Sequence, residues 1–163
     1  MSGKNLEAVV AVYSDWGIGA GGTQPVTLKA DRKRFRKLTE GAAVIVGRVT
    51  LADFPGGRPL PGRANIVLTR GAEIEGAVTV RSAAEALTEA ERYPRVFVIG
   101  GERVYRELMP HIMKVYVTKI DCAPHSDVFF PDLDADPAWY VSERGGEREE
   151  DGIRFRFLTY ERI

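Results

Sequence analysis

VIVGRVT, residues 44–50, runs from an apolar stretch directly into a glycine, an arginine and a threonine. The stretch VFVIGG, residues 96–101, repeats this pattern with two glycines, and IVLTR, residues 66–70, ends in threonine and arginine. Short apolar runs of β-branched residues are typical of strands that are buried on both faces, as in parallel sheets. Glycine directly after such a run indicates a turn. The three stretches therefore predict a parallel sheet whose strands end in turns at one edge.

The same patterns predict elements on either side of these stretches. Strands are expected at Leu6–Tyr13, Ala43–Val46, Ala64–Thr69, Val78–Val80, Arg95–Ile99 and Lys114–Asp121. Helices are expected at Lys29–Glu40, Thr50–Asp53 and Arg103–Met109, and from a capping box at Ser82 and Glu85 to Arg92. Two alternating runs, Trp139–Arg144 and Ile153–Glu161, predict an antiparallel hairpin joined by residues 145–152. We expect one α/β domain over residues 1–163, with a mostly parallel sheet of about eight strands, an antiparallel C-terminal edge and about four flanking helices.

Composition excludes several classes of partner. The chain has 23 basic and 23 acidic residues, so no net field attracts nucleic acid or a membrane surface. Cys122 is the single cysteine, which excludes an internal disulfide, and no second pair joins Cys122 and His125 in a metal site. The apolar run Leu6–Tyr13 is too short for a signal segment or a membrane span. We therefore expect a cytoplasmic protein without a metal that binds a small molecule.

Asp31 lies within KADRKRFRK, residues 29–37, where almost every other charge is basic. On a helix, Asp31 shares one face with Phe35 and Leu38, which is the apolar face available for packing on a core. A carboxylate on such a face is costly to bury unless it binds something. The alternative is an ordinary acid near a helix N-terminus, where aspartate is favoured. The helix alone leaves both interpretations open.

The glycine turns and several arginines suggest binding of an anionic ligand. In open α/β sheets, ligands bind beyond the carboxyl ends of the strands, where glycine lets the backbone approach phosphate and arginine supplies donors. Arg63 follows a proline-braced segment, residues 57–62, and its planar fork suits a carboxylate. Neither G-x-G-x-x-G nor a Walker sequence is present, and each feature alone also fits a tight turn or a solvated charge.

A series of short motifs runs along nearly the whole chain. Its first members are Ile18-Gly19, Pro25, Leu28, Ala30-Asp31, Phe35, Thr39, Gly47-Arg48 and Thr50. It continues with Arg58–Arg63, Asn65, Ile99–Gly101, Val104-Tyr105, Thr118 and Phe130-Pro131. In these residues and in their order, the chain resembles the dihydrofolate reductase family. The resemblance implies the fold of that family, NADPH as cofactor and the reduction of dihydrofolate, which would supply tetrahydrofolate to one-carbon metabolism. It also implies dihydrofolate and antifolates as ligands, and we expect a monomer.

For the substrate, the resemblance makes Asp31 and Thr118 the catalytic pair. Asp31 would bind the amino group and ring N–H of the pterin, Thr118 would complete the polar network, and Arg63 would hold the glutamate α-carboxylate. The full implied substrate set is Val9, Val10, Ala11, Asp31, Arg32, Phe35, Phe54, Leu60, Arg63, Ile99, Tyr105 and Thr118.

For the cofactor, the resemblance places Ala11, Ile18 and Gly19 beside the nicotinamide. The turns after the strands would hold the pyrophosphate, and Thr69, Arg70 and Arg48 would bind the 2′-phosphate. The glycine-rich segment 14–24 would be the mobile loop that closes over the site. The full implied cofactor set is Ala11, Ile18, Gly19, Gly22, Thr23, Gln24, Gly47, Arg48, Val49, Thr50, Leu68, Thr69, Arg70, Arg81, Ile99, Gly100, Gly101, Glu102, Arg103, Val104 and Tyr105.

Departures from the family pattern lie around Asp31. Val26 stands where the family usually has tryptophan, Gln24 replaces a large apolar residue, and Lys29 replaces a frequent proline. Arg32 follows Asp31 where an apolar residue is common. These changes suggest reduced sensitivity to diaminopyrimidine antifolates such as trimethoprim. Two alternatives remain: a pterin- or nucleotide-binding protein with weak or lost catalysis, and a riboflavin-pathway pyrimidine reductase of the same fold.

Overall fold

The computed structural model describes residues 5–163. Its strands are Leu6–Tyr13 (β1), Gly17–Gly19 (β2), Ala43–Gly47 (β3), Ala64–Leu68 (β4), Val78–Val80 (β5), Val96–Gly100 (β6), Ile112–Ile120 (β7), Val128–Phe129 (β8), Trp139–Arg144 (β9), Arg148–Glu150 (β10) and Ile153–Arg162 (β11). The α-helices are Lys29–Thr39 (α1), Arg48–Ala52 (α2), Ala83–Ala90 (α3) and Glu102–Leu108 (α4). Within residues 5–163, none of the helices has the length and apolar character needed to cross a membrane. The single domain expected over residues 1–163 stays a prediction, and residues 1–4 lie outside the described part.

The main sheet has nine strands, and its central strands are parallel. The strand order is β10-β11-β7-β1-β6-β3-β4-β5, and β9 also pairs with β11. All neighbours from β7 to β5 pair in parallel, whereas β11 runs antiparallel to β7, β9 and β10. The predicted parallel sheet with an antiparallel C-terminal edge is therefore confirmed.

The helices cover the two faces of this sheet in pairs. Val9, Val44, Val46, Phe97 and Ile99 point to one face, where they form a cluster with Phe35 and Leu38 of α1 and Leu51 of α2. Their strand neighbours point to the other face and pack with α3 and α4 through Ala86, Ala90, Val104 and Leu108. Because successive side chains alternate across a strand, central strands that are apolar throughout supply both cores. The predicted apolar face of α1 is the face that packs.

Three short strands differ from the sequence-based prediction. The glycine-rich segment was expected to contain no element, but β2 lies within it and pairs with β8. The predicted hairpin linker, residues 145–152, contains β10, which pairs with β11. The equally short β5 was predicted from two β-branched valines, whereas β2 is a Gly-Ile-Gly run, β10 is charged throughout and β8 has two residues, so only pairing reveals these three.

Helix ends differ from the prediction by a few residues, which is usual for sequence-based boundaries. Ser82 caps α3 as predicted, because its hydroxyl accepts the Glu85 N–H at 3.1 Å. The Glu85 carboxylate, however, accepts the N–H of Arg81 at 2.9 Å rather than that of Ser82. The predicted bond from the Glu85 N–H to the Ser82 hydroxyl is therefore confirmed. The return bond to the Glu85 carboxylate comes from Arg81, one residue before the predicted donor.

Candidate functional site

Asp31 and Thr118 meet on the face of the sheet that α1 covers. The Thr118 hydroxyl donates to Asp31 Oδ1 at 2.6 Å, across 87 residues of sequence. Thr118 lies on β7 opposite Ala11 of β1 in the parallel ladder. The carboxylate of α1 is therefore held beside the point where the two central strands β1 and β7 pair.

The surroundings of Asp31 favour its neutral form. Burial raises the pKa of Asp31, and the Thr118 hydrogen bond and the charges of Arg34 and Arg32 oppose that rise. Glu150 adds a negative charge that raises the pKa further. Since burial is the largest of these influences, the carboxyl keeps its proton to higher pH than an exposed aspartate does. A raised pKa favours the role of a proton donor for a carboxyl group.

Several apolar residues of the implied substrate set form one cluster on the face of the sheet that α1 covers. Phe35, Phe54 and Leu60 pack against a buried cluster that includes Val9 and Ile99. The side chains of Val10 and Arg32, also in the implied substrate set, lie outside this cluster.

Val10 points to the opposite face of the sheet, where it belongs to the core beneath α3 and α4. Arg32 is exposed, and its guanidinium donates to the Thr27 hydroxyl at 2.6 Å. Their side chains are therefore not part of the polar pair at Asp31.

Arg63 is held in a fixed geometry by its own loop. Its guanidinium donates to the Pro61 carbonyl, at 3.0 Å from Nε and 2.8 Å from Nη2, and to the Thr39 hydroxyl at 3.1 Å. Buried Asn65 braces the loop, because its side-chain amide bonds the N–H and carbonyl of Leu60, both at 2.9 Å. Asn65 Nδ2 also donates to the Arg63 carbonyl at 2.9 Å, so Asn65 fixes the backbone of Leu60 and Arg63 together.

The turns after β3 and β6 lie against each other and leave room only for glycine. A Cβ on Gly47 would lie 3.0 Å from Val104 Cγ2, and one on Gly101 would lie 2.9 Å from Thr50 Oγ1. Gly100 also lies against Thr50 and has a φ of 130°, which favours glycine. The missing Cβ atoms let the two turns pack this closely, and glycine turns at the carboxyl ends of strands are where a dinucleotide phosphate binds in many α/β proteins. The predicted residues of the two strand–helix turns are thus brought together.

A second group lies at the end of β4, around residues 69–71. Arg81 donates to the carbonyls of Thr69, at 3.1 Å, and Gly71. A Cβ on Gly71 would lie 3.6 Å from Arg48 Nη1, so the Arg48 guanidinium reaches the same turn. Two arginines and a threonine therefore converge where the sequence predicted binding of a phosphate. Arg70 is exposed beside them.

The loop of residues 14–24 connects the two halves of the site. Gln24 Nε2 donates to the carbonyls of Ala11 at 3.3 Å and Ile18 at 3.2 Å. The Thr23 hydroxyl bonds Asp53 at 3.1 Å, and a Cβ on Gly22 would lie 3.5 Å from a methyl of Val49. The loop therefore reaches from β1 to α2 across the strand ends.

Three side chains at the start of α4 are already engaged within the protein. Glu102 accepts the N–H of Phe129, Arg103 pairs with Glu107, and the buried Tyr105 hydroxyl donates to the Val9 carbonyl. These residues would meet a cofactor through their backbone rather than through their polar side-chain atoms. Leu68 similarly packs its side chain against the core beneath α3.

Sequence reasoning missed Glu150, which contacts the start of α1. Its carboxylate accepts the N–H of Lys29 at 2.7 Å and that of Ala30 at 3.0 Å. Asn65 and Thr39 were recognised as part of the resemblance, but not as the supports of Arg63. No local motif marks Glu150, because its partners lie about 120 residues away in the chain.

The fold and the site define an α/β protein that pairs a half-buried carboxylate with glycine turns and arginines suited to a phosphorylated dinucleotide. Residues 5–162 match the family described as dihydrofolate reductase. The dihydrofolate reductase of Bacillus subtilis (strain 168) is 36% identical over 149 residues, which cover 89% of this chain and 87% of that protein. The chain belongs to the dihydrofolate reductase family.

Other relatives agree in sequence and in structure. The dihydrofolate reductase of Mycobacterium leprae (strain TN) is 37% identical over 156 residues, covering 89% of this chain and 90% of that protein. The structure of dihydrofolate reductase from Enterococcus faecalis, complexed with NADP(H) and RAB-propyl, aligns with a TM-score of 0.86 at 32% identity. That alignment covers 99% of both chains. The predicted fold class is therefore confirmed over the whole described chain.

Proposed function

We propose that the chain catalyses the NADPH-dependent reduction of 7,8-dihydrofolate to 5,6,7,8-tetrahydrofolate, and so supplies one-carbon metabolism. The observation that carries this proposal is the Asp31–Thr118 pair, held next to Ala11 on the strand that leads into the glycine-rich loop. The polar centre of the site and the proposed nicotinamide position therefore share one pair of strands. Family membership and the cofactor in the E. faecalis relative support the same conclusion.

Asp31 would hold the pterin and supply protonation. NADPH, when bound, supplies the hydride that reduces a carbon–nitrogen double bond of the pterin. The nitrogen of that bond takes up one proton, so the overall reaction consumes a proton. Asp31, whose pKa is raised by burial, favours the protonated form of the complex, and Thr118 keeps the carboxyl oriented.

Arginines would bind the charged ends of both ligands. Arg63 is braced by Thr39 and Pro61 and would hold the α-carboxylate of the glutamate tail. Arg48, which reaches the Thr69–Gly71 turn, would bind the 2′-phosphate that distinguishes NADPH from NADH together with Thr69 and Arg70. Arg81, which donates to the same turn, would add to this site. The glycine turns 47–50 and 100–104 would admit the pyrophosphate.

Reduced trimethoprim sensitivity is a further part of the proposal. Val26 is half-buried beside Ala11 and Leu28, and its N–H and carbonyl are both bonded to the Tyr13 hydroxyl. A valine side chain has no donor for water or for an inhibitor near Asp31, unlike the indole that is usual in the family. Inhibitor titration of the purified protein tests this point, and nanomolar inhibition by trimethoprim would contradict it.

We also propose that the chain acts as a monomer in the cytoplasm. The site is assembled from residues of one chain, which is consistent with a monomer. Sedimentation of the purified protein with and without NADPH checks its oligomeric state.

The activity is tested by the loss of NADPH absorbance when dihydrofolate is added. We expect saturable oxidation of NADPH with formation of tetrahydrofolate. Binding of NADPH and folate without oxidation would instead identify a binding protein. Oxidation only with a ribityl-substituted pyrimidine would identify a reductase of the riboflavin pathway.

A further inference from the structure

Glu150 joins the C-terminal hairpin to the first turn of α1. It is the last residue of β10, and β10 is held by antiparallel pairing to β11, with Glu150 opposite Ile153. Its two carboxylate oxygens accept the N–H groups of Lys29 at 2.7 Å and Ala30 at 3.0 Å. Asp31 is the next residue along α1. A carboxylate from the far end of the chain is thus bonded to the backbone directly before the proposed catalytic acid.

The start of α1 lacks a local cap. The residue at the N-cap position is Leu28, whose side chain cannot accept a hydrogen bond, whereas α3 is capped by its own Ser82. The first N–H groups of a helix have no partner within the helix and need an acceptor. Glu150 supplies both oxygens to this end, and Lys29 can donate to it because it is not a proline.

Glu150 also adds charge to the surroundings of Asp31. The hydrogen bonds from Lys29 and Ala30 lower the pKa of Glu150, so this carboxylate is ionised near neutral pH. Its negative charge raises the pKa of Asp31. The charged or titratable groups that face Asp31 are Arg32 and Arg34 on its own helix, Tyr13 on β1, Tyr105 on α4 and Glu150 on β10. Glu150 is the acidic group among them.

We propose that Glu150 is a positioning residue for Asp31: it fixes the first turn of α1 and holds a negative charge beside the catalytic carboxyl. Both effects favour the neutral form of Asp31 over its ionised form. Without Glu150, the free N–H groups and the positive end of the helix would stabilise the ionised form of Asp31. The link to catalysis rests on the proposed function, but the effect on Asp31 does not.

The test compares Glu150→Gln with Glu149→Gln. Glu149 is exposed, lies on the same short strand and loses the same charge, but it pairs with Arg154 across the hairpin instead of bonding α1. Carbon-13 NMR follows the Asp31 carboxyl titration in the ligand-free protein, and amide exchange follows Lys29 and Ala30. For Glu150→Gln we expect Asp31 to titrate at lower pH and both amides to exchange faster, and for Glu149→Gln we expect neither change.

A second readout links the effect to turnover. The pH at which turnover declines should move to lower values in Glu150→Gln, whereas Glu150→Asp, which keeps the charge, should move it less. Concentrated salt should reduce the charge effect, because screening is strong at an exposed carboxylate. An unchanged Asp31 titration in Glu150→Gln, or an equal shift in both glutamine variants, would overturn the proposal. A shifted titration in a protein without reductase activity would instead retain the positioning role and refute the proposed function.

Discussion

The proposed substrate side and the proposed cofactor side of the site are built in different ways. On the substrate side, Asp31 and Thr118 come from elements 87 residues apart and meet through their side chains. On the cofactor side, the turns at residues 47–50 and 100–104 meet because their strands, β3 and β6, are neighbours in the sheet. There the close approach depends on the absence of side chains at Gly47 and Gly101.

This difference predicts where substitutions will act. We propose that Asp31 and Thr118 on the substrate side take part in the chemical step, so their loss should lower turnover even when both ligands are saturating. We propose that the arginines and glycine turns on the cofactor side bind groups that do not react, so their loss should weaken NADPH binding and preserve the chemical step. The predictions below test that division.

The largest effect is expected for Asp31→Asn. The amide keeps the size of the side chain and can still accept the Thr118 hydroxyl, but it cannot hold the proton. General acid–base groups contribute about 10² to 10⁴-fold, so we expect turnover at saturating ligands to fall by about a hundredfold or more. Steady-state kinetics measures this loss, with Asp121→Asn, an exposed change at the end of β7, as control. Turnover within a few-fold of the parent protein would refute the role of Asp31.

A smaller effect, confined to binding, is expected for Arg48→Leu. Hydrogen bonds to charged groups contribute about 1.5–3 kcal/mol, so KM for NADPH should rise about tenfold or more. KM for NADH and turnover at saturation should change little, because NADH lacks the 2′-phosphate. Arg92→Leu, at an exposed arginine two residues beyond the end of α3, is the matched control. An equal loss for both cofactors would place Arg48 outside the phosphate site.

Gln24→Met should modestly strengthen NADPH binding, whereas Arg48→Leu should weaken it. The Gln24 amide bonds the Ala11 and Ile18 carbonyls, which we propose lie beside the nicotinamide carboxamide. Removing a competing neutral hydrogen bond is worth about 1 kcal/mol, so NADPH should bind about fivefold more tightly. A cofactor fragment without nicotinamide should bind both proteins equally. Unchanged or weaker NADPH binding to the variant would contradict the proposal that Gln24 competes with the nicotinamide carboxamide for these carbonyls.

The smallest effect concerns the stability of the substrate side. Burial raises the pKa of Asp31 in the folded protein above its value in the unfolded chain. Protonation of Asp31 therefore adds to the free energy of unfolding. This contribution is complete below the unfolded pKa of about 3.9 and is lost as pH rises through the folded pKa. Asp31→Asn cannot titrate, so its melting temperature relative to the parent should increase from acidic to neutral pH. A constant difference across that range would show that Asp31 has an ordinary pKa.

Much of the fold could be predicted because its signals are local. The apolar runs of β3 and β6 and the Ser82 cap of α3 are each contained in a few adjacent residues. The strands β2, β8 and β10 are short and, unlike the equally short β5 with its two valines, lack a run of β-branched residues, so their sequences do not predict them.

The site, like the fold, has features that could be predicted from the sequence and features that could not. The shared face of Asp31 and Phe35 follows from helical spacing, but the pairing with Thr118 came only from the resemblance to a known family. The cap that Glu150 places on α1 joins residues about 120 positions apart, and no pattern within either segment indicates it. Residues that act through long-range contacts therefore need the structure.

The most direct test of the proposed substrate and cofactor sides of the site is a crystal structure of the chain with folate and NADP⁺ bound. We predict that the Asp31 carboxyl bonds the amino group and a ring nitrogen of the pterin, with the nicotinamide beside Ala11 and the 2′-phosphate at Arg48. Folate bound with its pterin away from Asp31, or the cofactor bound away from the glycine turns, would contradict the account.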